Sequence, residues 1–275
     1  MAILLPNSKW TKETTPSIYE YIKGSGNRIV NPSLIFDKYL FWGESNGKPT
    51  LNIKSGKNRI DYRLEHFKRV IGLGSPLEPA RYNQLKDRKN SLPRTCTFTL
   101  TTRTRLIVNH GDESILENSI ALYPHYGFPI IPGSAIKGAT RHYCEEFPDE
   151  PDEVLIKKIF GNSSDDKNAE EGSIIFLDAW PASIGNNFFE TDVFTPHYQD
   201  YYQGKDLPRD DQSPIPVNFL AVRKRVQFEF AIAPSSICGE DEAQDCIDKT
   251  VGLVTDALRT FGIGAKTGSN YGYFK

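Results

Sequence analysis

The chain has 275 residues, of which 33 are basic and 35 acidic, for a net charge of −2. That length suffices for one elaborated domain or two modest ones, and the near-neutral balance excludes a general polycation, so any site for a polyanion must be local. Four cysteines, Cys96, Cys144, Cys238 and Cys246, stand far apart with no C-x-x-C pair, which argues against a zinc site or a disulfide scaffold and for a reduced, cytoplasmic setting.

The first six residues are too short an apolar run for a signal segment, and no stretch approaches the roughly 18 apolar residues of a membrane span. Residues 1–92 are polar, apart from the apolar block 31–42, where Asn31 and Ser33 are placed to cap a short helix running through Trp42. Lys54, Lys57, Arg59, Arg63, Lys68 and Arg69 follow among Asn, Gly and Tyr, as a solvated surface or a nucleic-acid contact. Leu77 to Lys89 reads as a charged helix.

From Arg94 the texture changes. Cys96, Phe98 and Leu100 alternate with Thr95, Thr97, Thr99 and Thr101, the period of a half-buried strand. Residues 109–113 turn the chain, and Ile120 to Ile131 is expected to be extended. Pro132 and Gly133 then punctuate, Ser134 is the expected N-cap, and Ile136, Ala139, Thr140, Tyr143, Cys144 and Phe147 recur at the spacing of one buried helical face. Lys137 and Arg141 lie on another face, close to a helix N-terminus whose free N–H groups favour an anion, so a backbone phosphate fits there. The order is not that of a nucleotide-binding P-loop, because Lys137 precedes Gly138 and Ala139 instead of following the last Gly and preceding Ser or Thr.

A short helix is expected over Val154–Phe160 and a buried strand over Gly172–Trp180. The aromatic, polar segment 192–202 reads as a long loop or hairpin projecting from the sheet. Val217 to Ile232 is a strand pair or one long strand. A helix follows, with Ala243, Cys246, Ile247, Val251, Val254, Ala257, Leu258 and Phe261 on its apolar stripe and Gly262 at its C′ position. The closing segment sets Gly262, Gly264, Gly268 and Gly272 among Lys266, Thr267, Ser269 and Asn270, a loop whose backbone can approach a ligand closely. From Arg94 the elements run strand, helix, strand, strand, helix, strand. That predicts an α+β fold with two helices on one face of a four-stranded antiparallel sheet, the ferredoxin-like arrangement, and leaves the other face free.

Three stretches together resemble the RAMP superfamily of CRISPR proteins, and within it subunits of the type III-B Cmr effector complex. They are Gly127 to His142, with its P-G-S-x-x-K-G core; Gly172 to Pro181 with Thr195-Pro-His-Tyr198 and Tyr201-Tyr202 after it; and the closing glycine loop. The resemblance covers most of residues 94–275 and, more weakly, the block 31–39. It implies an RRM-like RAMP domain over 93–275 with long inserted loops, and an extension, 1–92, packed on it. The implied role is that of a cytoplasmic, non-catalytic subunit, free of cofactors, in antiviral defence. Its expected partners are the 3′ part of the guide (CRISPR) RNA, target RNA and other Cmr subunits. Carried onto this chain, the RNA contacts are Gly133, Ser134, Lys137, Gly138 and Arg141 on the helix, with Gly262, Gly264, Lys266, Thr267, Gly268 and Gly272 in the loop.

Some members of the superfamily are metal-independent repeat endoribonucleases, which makes an enzyme the alternative. His125, His142 and His197 are candidates by residue type for general acid–base work, but no sequence-local partner completes a constellation. Asp178, Asp192 and Asp200 would hold a divalent cation only if they converged, and for Asp178 a hydrogen bond to loop backbone is the expected role. Phe194, Tyr198, Tyr201 and Tyr202 are suited either to stacking on bases or to packing against a neighbouring subunit.

Overall fold

The computed structural model describes residues 31–38, 43–45, 48–50, 52–55, 58–72, 77–112, 118–147, 153–162, 170–185, 187–195, 204, 207 and 216–275. Alternating Phe, Leu and Thr side chains make β5 (Cys96–Thr101) a half-buried strand, with Thr97 and Thr99 exposed and Leu100 buried. It pairs antiparallel with β9 (Gln227–Pro234), which pairs on its other edge with β6 (Ile174–Pro181). Phe98 lies opposite Phe230, and the two rings stack with centroids 5.4 Å apart. Beyond β5 the closing run adds a short ladder: Thr101 and Lys275 exchange backbone hydrogen bonds of 3.0 and 2.9 Å, and Thr102 bridges to Phe274.

Two amphipathic helices cover one face of this sheet. In α4 (Gly133–Glu146) the buried positions are Gly133, Ile136, Thr140, Tyr143 and Cys144. In α6 (Ala243–Thr260) they include Cys246, Ile247, Val254, Ala257 and Leu258. Thr140 and Thr250 sit fully buried in these stripes because each hydroxyl donates to a carbonyl one turn back, on Ile136 and Cys246. Phe147, expected on the core face, is instead 43% exposed, because α4 ends at Glu146 and the ring swings out to stack on Phe261. The short α5 (Glu153–Phe160) buries Ile159 and Phe160 beside them.

The sheet's other face is only partly free, where the sequence led us to expect it open: Thr97, Thr99 and Gln227 stay exposed, but the side toward β6 is covered. Helix α3 (Pro79–Lys89) is fastened over it: the Lys86 ammonium donates to Glu229 Oε2 at 2.8 Å and to the Ala182 carbonyl at 2.9 Å, and Asn90 donates to Glu229 Oε1. Tyr82 is buried with Phe128 and Trp180 beneath this helix. Leu77 precedes the helix, turned into the core.

Two helices within residues 31–72 contribute to the main core, while Lys68 among them stays exposed. Asn31 caps α1 (Pro32–Lys38), its Oδ1 accepting from Ser33 N at 2.9 Å, while the expected continuation to Trp42 lies outside the described residues. Two hairpins, β1 (Gly43–Ser45) with β2 (Lys48–Thr50) and β3 (Asn52–Ser55) with β4 (Asn58–Asp61), lead into α2 (Tyr62–Gly72). None of these elements is evident in the sequence, where the stretch reads as a field of cations. Ile35 and Phe36 of α1 and Phe67 and Val70 of α2 are buried in the same cluster as Leu100, Phe228 and Phe274.

Residues 217–232 form neither one strand nor a strand pair. β8 (Val217–Val222) pairs with β7 (Phe189–Phe194) in a separate antiparallel hairpin, and the chain turns at 223–226 before entering β9. The aromatic connection from β7 to β8 lies largely outside the described residues, Tyr198, Tyr201, Tyr202, His197 and Asp200 included. Residues 120–131 fold back on themselves instead of running extended, with Tyr123 N bonded to Phe128 O and Ile130 N to Ala121 O.

Candidate nucleic-acid interface

The bulge in β6 organises one end of the site. Register shifts between Leu177 and Trp180, which frees Ala179 to pair with Ile131 and re-aims Asp178 toward α4. Asp178 Oδ1 accepts from Gly133 N at 2.8 Å, so the helix is capped from a neighbouring strand and Ser134, the expected cap, stands exposed. A protein carboxylate therefore occupies part of the N-terminus that the sequence offered to a phosphate. Lys89 donates to the Asp178 carbonyl at 2.8 Å and lies 5.3 Å over the Trp180 ring. Burial pulls its ammonium down to about 8, with Glu229 and Asp178 opposing that shift.

At the other end the glycine loop leaves α6. Gly262, at φ +73°, ends the helix where expected, and its N–H donates to Ala257 O. Gly264 at φ +90° and Gly272 at φ +77° pass so close to neighbouring backbone that an added Cβ would meet Ile107 O at 2.2 Å and Ile263 O at 2.0 Å. Ala265 N bonds to Ile107 O and Gly272 N to Arg105 O, so the loop is an ordered part of the fold. A 3₁₀ turn at Thr267–Ser269 carries its tip. Among the described residues, no backbone carbonyl accepts from the N–H groups of Gly264, Thr267 or Gly268, which leaves them for solvent or an anion.

Between this loop and α4 lies an open cleft of about 520 Å³, lined on the helix side by Ala135, Ala139 and His142 and on the loop side by Phe261 to Gly264, Thr267, Gly268 and Tyr273. The sequence marks His142 for its chemistry alone; the structure places its ring on Phe261, with centroids 5.4 Å apart. Ala135, Ala139, Phe261 and Tyr273 were not anticipated. The i, i+4, i+7 spacing of Ala135, Ala139 and His142 was the available signal, masked by the larger residues that mark the core.

The expected site residues are thus only partly brought together. Gly262, Gly264, Thr267 and Gly268 line the cleft, and Gly138 is exposed on α4 beside it. Lys137 sits two residues from Ala135, about 200° round the helix axis, and Arg141 shares that flank, paired with Glu145 at 2.9 Å. Lys266 turns away, its ammonium 4.1 Å from the Phe194 ring centroid. Gly133 is pressed against Phe176 O and Gly272 against Ile263 O, where both serve the fold.

The candidate chemistry sorts the same way. Asp178 caps α4, whereas Asp192 is bound by Arg105 Nη1 at 3.0 Å and by the Tyr271 hydroxyl, so these two carboxylates do not converge. Burial and the Asp192 carboxylate push the Tyr271 hydroxyl up to about 12. Among the described residues no group of three or more His, Cys, Asp or Glu is placed to hold a metal, and no helix is long and apolar enough to cross a membrane. His125 packs on Tyr123 and Tyr126, away from the cleft lining. All four cysteines are free thiols.

A two-helix, antiparallel-sheet domain with a glycine loop against its first helix is matched, over residues 99–275, by the model of the RAMP superfamily. The chain belongs to that superfamily and, within it, to the Cmr6 family. It is 32% identical over 254 residues to the CRISPR system Cmr subunit Cmr6 of Pyrococcus furiosus, covering 70% of this chain and 70% of that one. To the Cmr6 subunit of Saccharolobus solfataricus it is 31% identical over 198 residues, covering 70% of this chain and 62% of the relative. Its fold is shared with a chain in the cryo-EM structure of the type III-B Cmr-beta complex bound to cognate target RNA, with TM-score 0.57, 24% identity, and coverage of 100% of this chain and 90% of the other.

Proposed function

We propose that this chain is a non-catalytic RNA-binding subunit of a type III-B CRISPR effector complex, and that the cleft between the glycine loop and α4 takes the RNA backbone. Its partners in this reading are the 3′ part of the guide RNA, target RNA and the other Cmr subunits, in the cytoplasm. The observation that carries the reading is the cleft itself, lined on one side by Gly264, Thr267 and Gly268, whose N–H groups no backbone carbonyl takes among the described residues, and on the other by the small side chains of Ala135 and Ala139. Phosphate contacts of this kind hold position without reading sequence. Relatives bearing the Cmr6 name support the assembly, and a near-neutral net charge suits a subunit that also buries surface against protein neighbours.

We further read residues 93–275 as a ferredoxin-like RAMP domain and 1–92 as an extension packed on it. The spatial order of closing run, β5, β9 and β6, with α4 and α6 on one face, supports the ferredoxin-like assignment.

The test is Ala139→Glu, which sets a carboxylate in the cleft. It is expected to weaken binding of single-stranded RNA by roughly tenfold or more through repulsion of phosphates, read on protein that a cooperative melt shows to be folded. Unchanged affinity in a folded variant would remove the cleft from the RNA path.

One observation favours the enzyme alternative enough to be tested beside it: His142 lines the cleft and is exposed. Among the described lining residues the only other titratable side chain is Tyr273, and no carboxylate or ammonium is present to act with the imidazole. Incubation of the purified chain with repeat RNA in the absence of metal is expected to give no cleavage. Cleavage lost on His142→Ala would establish the enzyme instead.

A further inference from the structure

Three chain segments meet at one corner of the sheet and bring five cations together. They are the stretch leaving β5, the 223–226 turn between β8 and β9, and the closing run. Arg225 N bonds to Thr102 O at 2.8 Å, Arg103 N to Tyr273 O at 2.7 Å, and Lys275 N to Thr101 O at 2.9 Å. The residues so brought to one corner are Arg103, Arg223, Lys224, Arg225 and Lys275, all exposed except the half-buried Arg223. No ion pair joins any of them to a carboxylate among the described residues, and the neighbouring acids Glu190 and Glu229 are already taken by Arg105 and Lys86. In a chain of net charge −2 this is a concentrated local excess.

The corner is rigid. Thr102 is fully buried; its hydroxyl donates to Arg223 O at 2.9 Å and accepts from Val226 N at 2.9 Å, which clamps both ends of the turn. Arg225 sits at φ +66°, where a side chain costs about 1 kcal/mol that glycine would avoid.

A protein partner would ask for an apolar centre within the patch. None of the exposed large apolar residues, Leu92, Phe147, Val154, Val193, Leu207 and Ile237, is among the residues of this corner. What the corner offers is charge. Tyr273 makes it continuous with the cleft, since the same ring lines the cleft and carries the Arg103 guanidinium 5.3 Å from its centroid.

We propose that this basic corner is a second contact for the RNA backbone, taking the strand onward from the glycine-loop cleft across Tyr273. The inference rests on the RNA-binding reading of the cleft. Its test uses the full chain and a labelled single-stranded RNA of mixed sequence, with affinity followed by anisotropy across a range of KCl concentrations. Arg223→Gln, Lys224→Gln and Arg225→Gln together are expected to weaken binding on the order of tenfold and to make the salt dependence shallower by about 2 in log–log slope, at roughly 0.7 for each single-strand phosphate contact. Arg225→Gly alone relieves the left-handed backbone, so it is expected to be at least as stable as wild type while still losing about 0.7 of slope.

If the triple variant matches wild type while Ala139→Glu binds weakly, the corner is excluded and the cleft stands. If Ala139→Glu binds normally and the triple variant does not, the cleft reading fails, and with it the continuous path. Wild-type protein that shows no salt-sensitive binding overturns both. A triple variant that keeps its RNA affinity but loses a neighbouring subunit would make the corner a site for an acidic protein surface, which also overturns the proposal.

Discussion

Glycines that look equivalent in the sequence divide sharply by what surrounds them. Gly264 has backbone 2.2 Å from a would-be Cβ and a left-handed φ, so Gly264→Ala is expected to destabilise the chain by about 2 kcal/mol or more, read as a lower urea midpoint. Gly138 lies inside α4 with nothing within 4 Å of where a Cβ would sit, so Gly138→Ala should stabilise by about 1 kcal/mol. If RNA meets the α4 backbone there, the same variant weakens RNA binding. A gain in stability with unchanged affinity would assign Gly138 no role in contact. Lys89 adds a pH signature: burial holds its ammonium at about 8, below the ordinary 10.5 of a lysine. The folded chain thus carries a penalty for the charged form that is fully present below pH 8 and lifts as pH rises toward 10.5. Relative to Lys89→Met, wild type is expected to gain stability between about pH 8 and pH 10.5, measured as converging or crossing urea midpoints. Glycines and lysines were visible in the sequence as residue types, but the backbone or the indole against which each is pressed was not, because those partners lie far along the chain.

Helix faces were legible and helix ends were not. Of the stripe set by local spacing, the structure buries Ile136, Thr140, Tyr143 and Cys144, leaves Ala139 half-buried and turns Phe147 out. The cap is not local, since Asp178 reaches Gly133 from a bulge 45 residues on, and no nearby residue announces it. The same holds for α3, whose two ends sit on β6 and β9 through contacts that only folding creates. Glu229 is 18% exposed and Lys86 11%, and the carboxylate accepts from both Lys86 and Asn90. Glu229→Gln leaves a mostly buried ammonium without its counter-charge and is expected to cost about 3 kcal/mol, seen as a loss of thermal stability. A cost below experimental error would mean that α3 is held by Tyr82 and its aromatic neighbours alone. The hairpins over 43–61 are not legible in the sequence because their strands are three or four residues long, too short for a period of two to stand out from polar surroundings.

For the molecule as a whole, helices α1 and α2 share one core with the sheet. Ile35, Phe36, Phe67 and Val70 are each at most 1% exposed, and Gly127 packs directly against Pro32 at the start of α1. Residues 93–275 expressed alone would bare the faces of Leu100, Phe128 and Trp180 and leave Glu229 unpaired, so the fragment is expected to aggregate or to unfold without a cooperative transition. A fragment with a sharp melt near that of the full chain would show that the extension is dispensable. The sequence changes composition near residue 92, but composition does not reveal whether two regions bury the same surface.

The short ladder between Thr101 and Lys275 has a consequence for how the molecule comes into being. Phe274 is fully buried against Phe228 and Phe230, and the run that carries it is synthesised long after β5. Until residues 273–275 have been made, Thr101 and Thr102 lack their backbone partners and the central core lacks one aromatic ring. Synthesis therefore passes through a long interval in which the central core is incomplete, and the final tertiary structure is reached only after translation of this run.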